Sequence, residues 1–183
     1  MVVKSPLARV LALPAVAVLV VVLVAAARWL GPASGWFAFV VVWWPMVWVG
    51  TMSRLVQLRL PERYHALRSF EHGGRVYERV GVRVAKAALR RGLLARFNPD
   101  LHLPAERTPS QLAHLAQRMR DAEASHAVLF VLTLPVAGHA LLRGWWGAAV
   151  LTLVFDVVMN GYPMMLQRYN RARLADRYAL TWA

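Results

Sequence analysis

Apolar residues in this chain come in four long blocks instead of short alternations with polar ones. Residues 10–27 are 18 in a row without a charge. As a helix rising 1.5 Å per residue, that block reaches roughly 27 Å, about the hydrocarbon thickness of a bilayer. A second uncharged run covers 29–53; Gly31, Pro32 and Gly35 break its start, which places the usable helix at about 36–53. A third runs 124–142, interrupted only by His126 and His139, and a fourth runs 144–167, interrupted by Asp156. The pattern predicts an all-α integral membrane bundle. It has one domain over 1–183, with four transmembrane helices at about 10–27, 36–53, 124–142 and 145–167. A short turn at Arg143–Trp145 folds the last two into an antiparallel hairpin. Two readings of the first block stand, a membrane span or a cleaved signal peptide; its length exceeds the usual 7–15-residue apolar region of a signal.

Between the second and third blocks, residues 54–123 are amphipathic. Tyr64, Leu67, Arg68 and Phe70 suggest a short surface helix, interrupted at Gly73-Gly74. Apolar positions Val80, Val84, Ala87, Ala88 and Leu94 recur at helical spacing through 76–94. The three prolines of 97–109 read as a loop. Thr108 or Ser110 then caps a helix that runs directly into the third span. The region is too short and irregular for a separate globular domain and is expected to lie against the bilayer.

Charge orients this arrangement. The chain has 22 basic and nine acidic residues, a net charge of +13. With four spans, twenty of the basic residues fall on one side and two, Arg28 and Arg143, on the other. By the positive-inside rule both termini and the central region are cytoplasmic, in a multi-pass protein of the cell membrane. Trp29, Trp36, Trp145 and Trp146 read as interfacial anchors at the outer ends. Because the positive charge hugs the bilayer, it does not call for nucleic acid as a partner. A chain 58% hydrophobic is neither disordered nor a soluble globular enzyme. The absence of cysteine rules out disulfides, thiolate zinc sites and a cysteine nucleophile. The nucleophile-elbow, P-loop and dinucleotide-binding patterns are missing too.

Polar residues converge at one depth. Glu123 and His126, three apart, share a helix face, and a carboxylate beside an imidazole can hold its tautomer for general-base work. On the fourth span Asp156, Asn160, Pro163 and Gln167 form one stripe. Counting outward from the turn, His126 lies level with about Pro163 and Glu123 with about Leu166. Glu123, His126, Asn160 and Gln167 are therefore expected to meet just inside the cytoplasmic boundary, beside the basic string Arg168-Tyr169-Asn170-Arg171-Ala172-Arg173. Polar groups in lipid are costly and usually face a bundle interior or a watery pocket. Plainer readings also exist: an interfacial salt bridge for Glu123 and His126, a packing contact for Asp156, a kink at Asn160 and Pro163, an anchor for the arginines. A single Glu-x-x-His lacks the second copy and extra carboxylates of a di-iron bundle, so no metal is expected.

The string from Asn160 to Leu174, with its Gln167-Arg168-Tyr169-Asn170-Arg171-Ala172-Arg173 core, resembles a signature of the glycosyl-4,4'-diaponeurosporenoate acyltransferases. These are small membrane enzymes that perform the acylation step of staphyloxanthin-type carotenoid synthesis. Ala122-Glu123-Ala124-Ser125-His126 is similar to an element of the same family, as are Leu60-Pro61-Glu62-Arg63-Tyr64, Phe70-Glu71-His72-Gly73 and Gly81-Val82-Arg83-Val84-Ala85-Lys86. They follow in family order over about 59–174, with Ala85 standing where the family often has Trp. The resemblance implies transfer of an acyl group from a thioester donor, coenzyme A or a carrier protein, to a sugar hydroxyl of a glycosylated carotenoid or similar glycolipid, with no cofactor. His126, oriented by Glu123, is then the expected base, and Asn160, Gln167 or a nearby arginine the expected oxyanion donor. Arg168, Asn170, Arg171, Arg173 and Lys86 are expected to bind substrate, the cations on donor phosphates, and Glu71 is a second carboxylate candidate. Two other classes compete. One is a non-catalytic membrane protein that binds anionic lipid or a partner through its basic face; the other is a small transporter with Asp156 as a proton relay.

Overall fold

In the computed structural model the described residues are 2–3, 6–53, 56–89, 91 and 108–178. Helices dominate them: α1 (Pro6–Leu30), α2 (Gly35–Met52), α3 (Glu62–His65), α4 (Arg75–Arg79), α5 (Val82–Leu89), α6 (Pro109–Leu142), α7 (Trp146–Asp156) and α8 (Tyr162–Tyr178). A 3-10 turn, Ser69–Gly74, precedes α4, and a π-helical segment, Val157–Gly161, joins α7 to α8. The strand content is one antiparallel ladder of two residues a side, β1 (Val2–Val3) on β2 (Val56–Gln57). The all-helical expectation holds, with four helical stretches long and apolar enough to cross a membrane. The residues fall into two compact units. One is drawn from Met1–Arg59 and Ser125–Gly161, the other from Leu60–Ala124 and Tyr162–Ala183.

In the first unit, Ser34 starts α2 by accepting a hydrogen bond from the Phe37 amide at 3.1 Å, which satisfies one of the free N–H groups of a helix start. Trp48 of α2 donates its indole N–H to the Ala15 carbonyl of α1 at 2.8 Å. Phe39 of α2 meets Phe155 of α7 edge-on, ring centres 5.5 Å apart. The turn after α6 falls at Arg143 and Gly144, where Gly144 has φ +72°, and Ala140 packs on Ala148 and Ala149 across it. The interior is built of small residues, among them Ala38, Ala127, Ala137, Ala140, Ala148 and Ala149, while Leu13, Val21, Leu132 and Val150 face outward. That is the inverse of a water-soluble core and the usual order for helices packed in lipid, where small residues let backbones approach.

The second unit has two buried clusters, to which residues 54–123 and the last helix both contribute. Tyr77, Val82, Leu166 and Tyr169 make one buried cluster; Leu112, Leu115, Ala116, Met119 and Leu174 make another. What the central region lacks by itself, α8 supplies. The fourth apolar stretch does not end at 167 but continues as helix to Tyr178. The helix expected through 76–94 is broken instead at Gly81, whose φ of +80° ends α4 and restarts the chain as α5. The surface helix expected near Tyr64 shrinks to the single turn α3. Thr108 is the residue that caps α6, accepting from the Gln111 amide at 3.4 Å. Leu94 and the proline-containing stretch before Thr108 lie outside the described residues.

Candidate functional site

The polar residues expected at one depth sort into two sets, one in each unit. In the second unit Glu123, fully buried, gives one carboxylate oxygen to Arg168 at 2.7 Å and the other to Arg171 at 2.5 Å. Arg168 turns its remaining N–H groups to both oxygens of Glu71, at 2.7 and 2.8 Å, and to the backbone carbonyls of Tyr64 and Ala66. Arg171 also donates to the carbonyl of His65, whose Nδ1 lies 3.6 Å from Glu123. Glu71 further accepts from the Tyr77 hydroxyl and, at 2.7 Å, from the Arg68 amide. Two guanidinium groups and two carboxylates thus neutralise one another where water is excluded, the condition under which buried charge is tolerated.

The electrostatics follow from this enclosure. Burial alone would raise the pKa of Glu71, but donors from Arg168, Tyr77 and Arg68 outweigh it and hold the carboxyl at about 2. Burial and the adjoining Glu71 together push the Tyr77 phenol up to about 12. Burial lowers His65, outweighing the opposing pull of Glu123.

Several sequence expectations change here. Glu123 was expected to orient His126, but both of its oxygens are taken by arginines. Arg168 and Arg171 were expected to meet donor phosphates, but their guanidinium groups are committed to buried carboxylates. Glu71 is part of the same ionic core and not a free carboxylate. Lys86 donates to Asn170 Oδ1 at 2.6 Å and lies over the Tyr169 ring. Gln167 is partly buried, its Oε1 without a partner among the described residues. Of the cations assigned to the donor, Arg173 is the one whose side chain is exposed.

In the first unit His126 and Asn160 do come together. His126 Nδ1 and Asn160 Oδ1 are 3.1 Å apart, and Asn160 Nδ2 donates to Asp156 Oδ1 at 2.8 Å. The hairpin register is one turn from the expected one, with His126 level with Asn160 and not with Pro163. Asp156 and Asn160 are fully buried, and Asp156 Oδ2 has no hydrogen-bond partner among the described residues. Asn160 sits in the π-helical segment, a backbone form found often at functional sites. His126 is only half-buried, and its Nε2 has no hydrogen-bond partner among the described residues. An amide oxygen can only accept, so the ring carries its proton on Nδ1 and leaves a lone pair on Nε2. This arrangement is chemically that of a general base held in one tautomer.

Sequence reasoning missed the pairing of Glu71 and Glu123 with Arg168 and Arg171. Each arginine and glutamate was visible, but the ion pairs are separated by 45 to 97 positions in the chain, and no local spacing encodes them. Against known proteins, the family described as glycosyl-4,4'-diaponeurosporenoate acyltransferase matches residues 61–179. No curated protein and no solved structure matches the chain.

Proposed function

Because the chain belongs to the glycosyl-4,4'-diaponeurosporenoate acyltransferase family, an assignment that makes it an acyltransferase of carotenoid biosynthesis, we propose that it esterifies a sugar hydroxyl of a glycosylated carotenoid acid with a fatty acyl group from a thioester donor, using His126 as the base. The observation that carries this reading is the His126–Asn160 pair at 3.1 Å, with the other ring nitrogen left bare. His126 Nε2 takes the proton of the sugar hydroxyl as its oxygen attacks the thioester carbonyl. The tetrahedral intermediate collapses, the C–S bond breaks, and the proton on His126 passes to the departing thiolate. Acid–base help of this kind is worth about 10²–10⁴-fold in rate. Asn160 takes the orienting role first given to Glu123, since one end of its amide faces His126 and the other Asp156; it is not the oxyanion donor. In the second unit, Arg173 keeps the role of a cation for donor phosphate. No cofactor enters the scheme.

The four apolar helices keep the acyl chain and the acceptor's apolar tail in lipid, and the arginine bias puts both termini and the central region on the cytoplasmic side of the cell membrane. The test is acyl transfer by purified protein in lipid nanodiscs, with a glycosylated carotenoid acid and an acyl thioester. His126→Ala is expected to lose at least a hundredfold in kcat. Wild-type turnover in that variant would remove His126 as the base. Complete absence of ester from the wild type, with anionic vesicles still bound, would favour the non-catalytic reading.

A further inference from the structure

Asp156 has no part in the reaction as proposed above, yet it is fully buried in an apolar unit, where a carboxyl group is expensive to keep. We propose that Asp156 is a positioning residue for acyl transfer: it fixes which way the Asn160 amide points, and through that amide it fixes the tautomer of His126. The inference rests on His126 being the base.

The chain of constraint runs in one direction. Asp156 Oδ1 lies 2.8 Å from Asn160 Nδ2 and is an acceptor. As a carboxylate it can therefore be met only by the NH₂ end of the Asn160 amide. Turning that end toward Asp156 turns the carbonyl end toward His126, at 3.1 Å from Nδ1. A carbonyl oxygen accepts only, so Nδ1 must be the protonated nitrogen and Nε2 the basic one. Without an obligate acceptor at position 156, the amide is free to turn over. Its NH₂ would then face Nδ1, the ring proton would move to Nε2, and the nitrogen exposed to substrate would be a donor instead of a base. His126 and Asn160 alone do not decide between these two states, because each side chain can play either part. Asp156 breaks the tie. Its neighbours fit this use: among the described residues the side chain that bonds its carboxyl is that of Asn160, and no Arg or Lys pairs with it. An Asp retained for charge pairing would be expected to face an Arg or Lys.

The isosteric variant Asp156→Asn removes the constraint while keeping the shape. The readout is the ¹⁵N spectrum of His126 in nanodiscs, with the ring neutral and the peak assigned by its loss in His126→Ala. The wild type is expected to show Nδ1 protonated and Nε2 bare. Asp156→Asn is expected to show a mixture of tautomers and a kcat at least tenfold lower, with KM for both substrates within twofold of wild type. Exchanging the two groups, Asp156→Asn with Asn160→Asp, puts a carboxylate directly against Nδ1; it is expected to restore the single tautomer and most of the lost kcat. A merely structural aspartate would shift stability and leave the tautomer alone. Finding Nε2 protonated in the wild type would overturn the proposal with no variant needed, as would an Asp156→Asn protein with wild-type tautomer and turnover. Full activity in His126→Ala would instead defeat the base assignment, a separate failure, since the tautomer measurement does not depend on catalysis.

Discussion

The two units bury polar groups in opposite ways. In the second, each buried carboxylate among the described residues has a partner of opposite sign: Glu123 is shared by Arg168 and Arg171, and Glu71 is clasped by Arg168, Tyr77 and the Arg68 amide. In the first, a file of polar groups runs from Asp156 through Asn160 to His126, and it ends on a ring nitrogen with no hydrogen-bond partner among the described residues. A saturated network has no lone pair left for a substrate; its members hold the unit together. An open-ended file delivers one. On the function proposed above, the difference separates scaffold from chemistry among residues that look alike in the sequence, with Glu123, Arg168 and Arg171 proposed for the first category and His126 for the second.

The sharpest way to break this division is to compare one residue from each unit. His126→Ala is expected to cost 10²–10⁴ in kcat, about 3–5 kcal/mol in the barrier, while the thermal midpoint in nanodiscs stays close to wild type. Glu123→Gln is expected to do the reverse. Two buried guanidinium groups lose their shared counter-ion, and removal of one partner from such a pair costs about 3–5 kcal/mol of stability. Turnover per folded molecule should fall far less than in His126→Ala. A Glu123→Gln protein of undiminished stability and abolished turnover would show that the ionic core takes part in the reaction.

Acid sharpens the same contrast. The Glu71 carboxyl ordinarily titrates near 4.5 and is held at about 2 in the fold. A depressed pKa means that the stabilisation is fully present above the ordinary value and is lost as pH falls toward and through the folded one. Between about pH 4.5 and 2 the second unit should therefore lose on the order of 3 kcal/mol through this group. Glu71→Gln should be less stable at neutral pH and should lose much of the pH dependence in that window. Equilibrium unfolding in detergent at a series of pH values tests it; identical slopes for variant and wild type would mean that Glu71 is not the titrating group.

Much of this architecture is legible in the residues, and what is not has a physical cause. The four apolar stretches announce themselves because lipid demands continuous runs, and a short turn at Gly144 with helical counting brings His126 to within one turn of Asn160, its observed partner. The ionic core escapes such counting. Arg168 reaches Glu71 across 97 positions, and the same arginines, read locally, form a basic string that fits a membrane anchor or a phosphate site equally well. The polar sequence after Gln167 suggests that the last helix ends at the bilayer; it continues because α8 brings Leu166, Tyr169 and Leu174 to the cores of the second unit. The resemblance carried by Glu71, Lys86, Glu123, Arg168, Asn170 and Arg171 is largely a resemblance of scaffold. These residues grip one another, which explains why strings far apart in the chain belong to one signature.

The smallest effect concerns how tightly each unit is closed, and two glycines report it. Gly74 has φ +74°, and a Cβ there would stand 2.6 Å from the Tyr169 ring. Both the backbone and a rigid aromatic oppose a side chain, and the ring is held by its hydroxyl, which donates to Glu78 at 3.0 Å. Gly74→Ala is expected to destabilise the second unit by about 1–3 kcal/mol. Gly35 of α2 faces a nominally similar obstacle, Leu151 Cδ1 at 2.9 Å, but it has ordinary helical φ and meets the end of a flexible side chain that can turn aside. Gly35→Ala is expected to cost under about 1 kcal/mol, since an alanine also gains helix propensity over glycine. Thermal unfolding of the two variants side by side measures the difference. If Gly35→Ala proved the more damaging, the small-residue packing of the first unit would be the tighter of the two, and the ionic core would hold a looser structure than its saturated hydrogen bonds imply.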